Sequence, residues 1–288
     1  MKKINVLLDT DIGSDIDDSE CLAYLLSQSM CNLVGITTVS GEPTERAKLA
    51  SAIVKVAKKR VPIHPGAPAP MCSANLQPSA AQKAKLPNWP HTKKFEEFSA
   101  VEFMKEMIFK HPNDITLLAI GPLTNIGTLF ASYPEVVPLI RELVIMGGDF
   151  LHDDAIAEWN IKCDPYAAKI VFDSGVKMRC AGLDVTRKVV MDNEEFKKKF
   201  TSEILKPVYD FSAMWFDHAK VTYFHDPLAA TLIFKPELCT MRRGKVQVVT
   251  SGEHFGRTFF TEGFGNHHVA ESVDADGFFK HYFDLTSK

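Results

Sequence analysis

The sequence predicts an open α/β fold in which a mostly parallel central sheet is flanked by helices. Short apolar runs alternate along the chain with segments whose apolar residues have helical spacing. The 288 residues, 45% hydrophobic and 24% charged, are enough to bury the core of one large domain. An acidic segment also joins the first strand to the first helix, and open sheets bind ligands at such a junction. We therefore expect a single domain over residues 1–288.

The predicted elements follow one another in regular alternation. Strands are expected at Val6–Leu8, Asn32–Val39, Ile115–Ile120, Glu142–Met146, Lys177–Leu183 and Val246–Thr250. Helices are expected over about 19–26, 44–59, 96–110, 122–131, 164–174, 203–219 and 227–234. The exception is the segment 65–94, which is rich in Pro, Ala and Lys and has no clear period, so we expect a long loop or lid there.

The acidic segment is the first candidate for an active site. It runs from Asp9 to Asp18 with the sequence DTDIGSDIDD, directly after the apolar run Ile4–Leu8. Carboxylates crowded at the end of a buried strand repel one another unless a cation neutralises them. Ligands that are all oxygen suit Ca²⁺ or Mg²⁺ better than zinc.

Three further segments carry polar residues after predicted strands or before predicted helices. The turn at Ile120-Gly121-Pro122 can aim the Ile120 carbonyl at a metal, and Glu158-Trp159-Asn160 offers a carboxylate and an amide that suit sugar hydroxyls. His225-Asp226-Pro227 precedes an apolar helix, where Asp226 is also a good N-cap. Each segment alone is weak evidence for a site.

Taken together and in this order, the four segments resemble the inosine-uridine-type nucleoside hydrolase family over about residues 4–235. The resemblance implies an open α/β fold, a tightly held Ca²⁺, and hydrolysis of the N-glycosidic bond of ribonucleosides to ribose and a free base. Similar proteins are usually dimers or tetramers, so the resemblance also implies a homo-oligomer that binds a small nucleoside substrate.

The resemblance also implies roles for individual residues. Asp11 would be a calcium ligand and the base that acts on the attacking water, and His225 would lie by the leaving base. The other calcium ligands would be Asp18, the Ile120 carbonyl and Asp226. The ribose contacts would be Asp17, Glu158 and Asn160.

The chain departs from the family pattern at three places. Ile16 and one neighbour look inserted, so Asp15 is an alternative to Asp17 as the ribose contact. Glu42 stands where a ribose-contacting amide is expected, and His152 stands where an asparagine often contacts the 5′ end of the ribose. A carboxylate at position 42 would repel phosphates, which favours neutral nucleosides or an unusual N-riboside over nucleotides.

Two other functions remain open. A phosphatase resembling the haloacid dehalogenase superfamily would use Asp9 as nucleophile and Asp11 as acid/base, with Gly148-Asp149 and Asp153-Asp154 as a magnesium site. A nucleoside-binding protein on the same fold would lack turnover, although Asp11 and His225 are both present.

Composition limits the other partners. A formal net charge of −3 gives no electrostatic footprint for nucleic acid, and no apolar run approaches the length of a membrane span. The six cysteines form no CxxC pair and most lie in apolar segments, so we expect buried free thiols and a cytoplasmic protein.

Aromatic residues are the candidates for contacts to the nucleobase and for assembly. Base contacts are expected from 65–94, Phe211–His218 and Val221–Phe224, with Trp215, Phe216, Tyr223 and Phe224 as rings that stack. An apolar stripe, Phe278-Phe279 with Tyr282-Phe283, predicts a last helix that packs on the core or on a partner chain.

Overall fold

The computed structural model describes residues 2–152, 154–216 and 219–288. In this part of the chain the strands are β1 Ile4–Thr10, β2 Cys31–Thr38, β3 Ile63–Pro65, β4 Ile115–Ala119, β5 Glu142–Met146, β6 Met178–Ala181, β7 Val190–Asp192, β8 Val221–Tyr223, β9 Cys239–Val248, β10 Thr258–Glu262 and β11 His267–Val273. The helices are α1 Asp17–Ser27, α2 Pro43–Val56, α3 Ala100–Lys110, α4 Thr124–Ser132, α5 Trp159–Cys163, α6 Pro165–Asp173, α7 Leu183–Thr186, α8 Asn193–Lys199, α9 Lys206–Phe216, α10 His225–Phe234 and α11 Ala275–Thr286.

A nine-stranded sheet forms the centre of the molecule, with the strand order β10-β9-β11-β6-β5-β4-β1-β2-β3. The strands from β3 to β11 in this order pair in parallel, and β9 runs antiparallel to both of its neighbours. The predicted fold class is therefore confirmed. Strands β7 and β8 form a separate antiparallel pair.

Helices cover both faces of the sheet, as expected for strands that are apolar on both sides. Alternate residues of β1 point to opposite faces of the sheet. Val6 and Leu8 belong to one buried apolar cluster, and Leu7 belongs to the other. The first cluster lies under α1, α2 and α8–α11, and the second lies under α3, α4 and α6. Among the helices in the described ranges, none is long and apolar enough to cross a membrane.

The last helix packs on the core. Phe278 and Tyr282 of α11 are fully buried, while Phe279 and Phe283 are partly buried against the same apolar cluster. The apolar stripe seen in the sequence is thus largely used within the chain. The cysteines are free thiols, and all except the exposed Cys72 are buried.

The sequence missed several strands at the edge of the sheet. Only Val246–Thr250 was expected in the region of β9, which instead starts at Cys239, and neither β10 nor β11 was predicted. The first half of β9 contains Met241-Arg242-Arg243-Gly244, where charged residues and a glycine hide the apolar alternation. Strand β9 lies between β10 and β11, but most residues of its first half are exposed or only partly buried, so apolar periodicity finds that half poorly.

Candidate active site

A cavity of about 340 Å³ lies at the carboxyl edge of the parallel strands. It forms there because the residues just after β1 and β4, and the last residue of β5, meet at one edge of the sheet. It is lined by most of the residues that the sequence predicts for the site, namely Asp11, Asp15, Asp17, Asp18, Ile120, Glu158, Asn160, His225 and Asp226.

Three carboxylates come closest to one another on one side of the cavity. Asp15, Asp17 and Asp18 can each present one oxygen within 4.8 Å of the others. Asp17 and Asp18 lie in the first turn of α1 and are 5% and 3% exposed. The predicted ligand set had Asp11 and Asp226 beside Asp18, whereas the group that converges within 4.8 Å contains Asp15 and Asp17 instead.

Burial and mutual repulsion destabilise the charged forms of these carboxylates. Burial, followed by the charges of neighbouring aspartates, raises the pKa of Asp17, Asp18 and Asp226 well above the usual range. Burial also raises the pKa of Asp11 to about 6, although the nearby Arg46 guanidinium acts in the opposite direction.

A hard divalent cation fits this donor set. The donors are carboxylate oxygens together with the Ile120 carbonyl, they converge on one cavity, and a cation among them would remove the repulsion. The close approach of β4 to the acidic segment depends on Gly121, since a Cβ there would lie 2.7 Å from Asp11 Oδ1. The site thus suits a metal that prefers oxygen ligands.

Two residues that the sequence did not suggest hold Asp11 in place. Gln77 Nε2 donates to Asp11 Oδ2, and the fully buried Arg46 donates through Nη1 to the Asp11 backbone carbonyl. Arg46 also bonds to the Gly41 carbonyl at 2.8 Å and to Ser14 Oγ at 3.0 Å. The acidic segment is therefore tied to α2 and to the 65–94 segment.

Glu158 and Asn160 belong to another part of the same cavity, where α5 begins. The buried Glu158 carboxylate caps α5 and accepts from the backbone N–H groups of Gly148, Asn160 and Ile161 at 2.9–3.1 Å. Burial raises the pKa of Glu158 to about 7. Asn160 Nδ2 donates to the Ile120 carbonyl at 3.0 Å, so the two predicted residues are directly linked.

His225 borders the cavity at the start of α10. Its Nδ1 lies 2.7 Å from Thr186 Oγ1, and its ring stacks on Tyr223 with centroids 5.2 Å apart. Burial lowers the pKa of His225 to about 4, so the ring is uncharged at neutral pH.

A second, smaller cavity of about 170 Å³ adjoins His225. Trp215 and Tyr223 line it together with Asp15, Ile16 and Asp17. Of the other rings expected to stack on a base, Phe224 is fully buried, and Phe216 is partly buried against the same apolar core. The expected range Phe211–His218 ends in residues 217 and 218, which lie outside the described residues.

Two predicted ribose contacts are not at the cavity. Glu42 begins α2 with a left-handed backbone (φ 58°), and its carboxylate accepts from the backbone N–H of Ala80 at 2.9 Å and from Lys83 Nζ. His152 has a half-exposed side chain, lies 3.9 Å from Asp184 and borders a different cavity. The structure therefore does not bring Glu42 or His152 to the cavity with the other predicted residues.

The geometry does not suit the phosphatase interpretation. Asp9, its nucleophile, is 1% exposed, does not line the cavity and is held by Thr37 and by Asn125 Nδ2 at 2.8 Å. Asp149 is equally buried and accepts from the Ile156 N–H at 3.0 Å. Asp153 of the same proposed magnesium site lies outside the described residues.

The fold and the cavity define a class of protein, an α/β enzyme whose carboxylate-rich site lies beyond the carboxyl ends of parallel strands. Residues 6–280 match the model of the family described as inosine-uridine preferring nucleoside hydrolase. The chain therefore belongs to that nucleoside hydrolase family, a metal-dependent family, and is an enzyme that hydrolyses the N-glycosidic bond of ribonucleosides.

Similar proteins agree with the family assignment. The chain is 30% identical to a non-specific ribonucleoside hydrolase, RihC, of Shigella boydii, over 96% of each chain. It is 28% identical to uridine nucleosidase 1 of Arabidopsis thaliana, over 91% of this chain and 83% of that one. A solved purine-preferring ribonucleoside hydrolase from Gardnerella vaginalis superimposes with a TM-score of 0.84 at 26% identity, covering 98% of both chains.

Proposed function

We propose that this enzyme is a calcium-dependent hydrolase of neutral ribonucleosides, with strict recognition of ribose and loose recognition of the base. The observation that carries the proposal is the cavity itself, where Asp15, Asp17 and Asp18 converge beside Asp11 and Asp226. Glu158 and Asn160 line the same cavity.

Calcium is the proposed metal because every candidate ligand is an oxygen atom, which suits a hard cation, and because the family resemblance implies Ca²⁺. Asp11, Asp18, Asp226 and the Ile120 carbonyl would hold the ion, with Asp15 or Asp17 within reach of the same position. When bound, such an ion would neutralise the carboxylates and act as a Lewis acid that makes a nearby water more acidic.

Asp11 is the proposed general base. Its carboxylate borders the cavity and would take a proton from water as the water oxygen attacks the anomeric carbon. The carbon–nitrogen bond to the base breaks in the same reaction, and positive charge develops on the sugar. The carboxylates of Asp17 and Glu158 would stabilise that charge.

The proposed ribose contacts are Asp17 or Asp15, Glu158 and Asn160. Asn160 uses its Nδ2 on the Ile120 and Met146 carbonyls, which leaves its Oδ1 as an acceptor for a sugar hydroxyl. Binding in a fixed orientation of this kind can be worth roughly 7–11 kcal/mol of the barrier.

His225 would assist departure of the base as a hydrogen-bond donor. An uncharged imidazole has one N–H, which can be shared with a ring nitrogen of the base as negative charge develops there. Trp215 and Tyr223 border the neighbouring small cavity and offer ring faces to a planar base. Ring faces accept many bases, which supports loose base recognition.

The experiment is a panel of purine and pyrimidine ribonucleosides and p-nitrophenyl riboside, scored by release of reducing sugar. Inosine 5′-monophosphate is included because the carboxylates of the cavity should disfavour a phosphate. We expect turnover of several nucleosides and little turnover of the nucleotide. Tight nucleoside binding without release of ribose would instead support the non-catalytic binding protein.

A further inference from the structure

We infer that Gln77 is a positioning residue for Asp11 and that Trp159 fixes the orientation of the Gln77 amide. This inference rests on the proposed role of Asp11 as the general base. Gln77 Oε1 accepts from Trp159 Nε1 at 2.7 Å, while Gln77 Nε2 donates to Asp11 Oδ2. One amide therefore connects the cavity wall at α5 to the proposed base.

The chemistry of the three groups fixes the direction of both hydrogen bonds. An indole N–H can only donate, so the atom of Gln77 that faces Trp159 has to be the carbonyl oxygen. The amide nitrogen then faces Asp11, and it can only donate. Asp11 Oδ2 accepts this hydrogen bond, which favours the orientation of the Asp11 carboxylate that points Oδ2 toward Gln77.

The backbone around Gln77 is itself held against the acidic segment. Pro78 packs so closely on Gly41 that a Cβ at position 41 would lie 2.3 Å from the Pro78 carbonyl carbon. Ala80 donates to the Glu42 carboxylate, and Gln82 donates its backbone N–H to the Gly13 carbonyl at 3.1 Å. Gln77 is 8% exposed, so its amide has little freedom to leave Asp11.

Trp159, unlike Gln77, has an exposed side chain. Its side chain borders the cavity and it is 48% exposed, so it is not required to fill the core. Its contact with Gln77 nevertheless uses its only polar atom. We therefore assign it the role of orienting the amide, at a distance from Asp11.

The consequence concerns the rate of the chemical step more than binding of the substrate. Without Gln77, the Asp11 carboxylate can rotate away from the position in which it would accept the proton of the attacking water. Gln77 lines the same cavity but forms no hydrogen bond with the proposed ribose contacts Asp17, Glu158 and Asn160. A substitution at position 77 should therefore lower kcat and leave KM nearly unchanged.

The first test compares Gln77→Ala and Gln77→Glu with the wild type at saturating Ca²⁺. Gln77→Glu keeps the shape and the acceptor for Trp159, but it replaces the donor to Asp11 with another carboxylate. We expect kcat to fall about tenfold to hundredfold for Gln77→Ala and at least as far for Gln77→Glu, with KM within about threefold. Asn88→Ala is the control, because the exposed Asn88 lies in the same 65–94 segment but bonds to Asp210 and not to Asp11.

The second test asks whether Trp159 acts through Gln77. Trp159→Phe should lower kcat by about threefold or more in the wild type and should change it little in Gln77→Ala, as expected for coupled residues. An equal fall in both backgrounds would overturn the orienting role of Trp159. Unchanged kcat in both Gln77 variants at saturating Ca²⁺ would overturn the positioning role of Gln77.

A spectroscopic measurement keeps the inference separate from the proposed function. The chain has three tryptophans, and Trp159→Phe identifies the Trp159 indole N–H resonance by its loss. That resonance should move upfield in Gln77→Ala, whether or not any substrate is turned over. No ribose release by the wild type would refute the proposed function, whereas an unmoved indole resonance would refute the Trp159–Gln77 contact alone.

Discussion

Arg46 offers the clearest prediction of stability. Its guanidinium is fully buried and donates to the carbonyls of Asp11, Ile12, Gly41 and Ser79 and to Ser14 Oγ. Its positive charge also favours the ionised forms of two buried aspartates, since it lowers the pKa values of Asp11 and Asp18 against the effect of burial. Replacing it with methionine would keep much of the volume and remove every one of these interactions.

The expected cost of Arg46→Met follows from the buried acceptors that lose their donors. A buried acceptor that loses its donor costs about 1–3 kcal/mol. Several acceptors depend on Arg46, so we expect a loss of about 3–5 kcal/mol. For a chain of this length that free energy corresponds to a fall in Tm of roughly 6–10 °C.

The assay is urea denaturation of Arg46→Met with calcium removed, followed by the same titration with calcium added. Arg60→Met is the matched control, because Arg60 is exposed and surface substitutions usually change stability by less than about 0.5 kcal/mol. A loss below about 1 kcal/mol for Arg46→Met would refute the reasoning that this side chain ties the acidic segment to its surroundings.

Three further predictions concern the site and the assembly. Metal analysis of the dialysed protein should find one Ca²⁺ per chain, and zinc in its place would contradict the oxygen-ligand argument. Asp11→Asn should lower kcat by about 10²–10⁴-fold in the ribose-release assay, since an amide cannot take a proton; an undiminished rate would refute Asp11 as the base. Light scattering at micromolar concentration should show a dimer or tetramer, and a monomer alone would remove that prediction.

Much of the site could be predicted because it lies in short, continuous segments. Asp11 to Asp18 follow a buried strand, while Ile120, Glu158 and Asp226 follow a strand or begin a helix, so topology alone brings them to one edge of the sheet. The location of such residues can be predicted from the order of strands and helices, without knowing how the side chains pack. The alternation of strands and helices likewise correctly predicted a mostly parallel central sheet.

The residues that support the site could not be predicted in the same way. Gln77 contacts Asp11 from 66 positions away, and it lies in a segment without a helical or strand period. Arg46 looks in the sequence like one charged residue of an amphipathic helix, although its side chain is completely buried. The contacts of Gln77 and Arg46 with Asp11 become visible only in the folded structure, where α2 and the 65–94 segment pack beside the acidic segment.

Glu42 and His152 lie away from the cavity, and for Glu42 the physical reason is local. Position in the chain predicted their roles, but the backbone and the local partners decide where a side chain points. The left-handed conformation at Glu42 and the two donors from Ala80 and Lys83 turn its carboxylate toward the 65–94 segment. Position in the sequence therefore does not predict which way the Glu42 side chain points.

The most direct test of the central claim is a comparison of ribonucleosides with their 2′-deoxy forms. If Asp17 or Asp15, Glu158 and Asn160 hold the sugar hydroxyls in a buried cavity, a missing hydroxyl leaves polar groups unpaired and weakens transition-state binding. We predict that kcat/KM for inosine and uridine exceeds that for their 2′-deoxy forms by about 10²-fold or more. Equal kcat/KM for ribo and deoxy substrates would contradict recognition of ribose by this cavity.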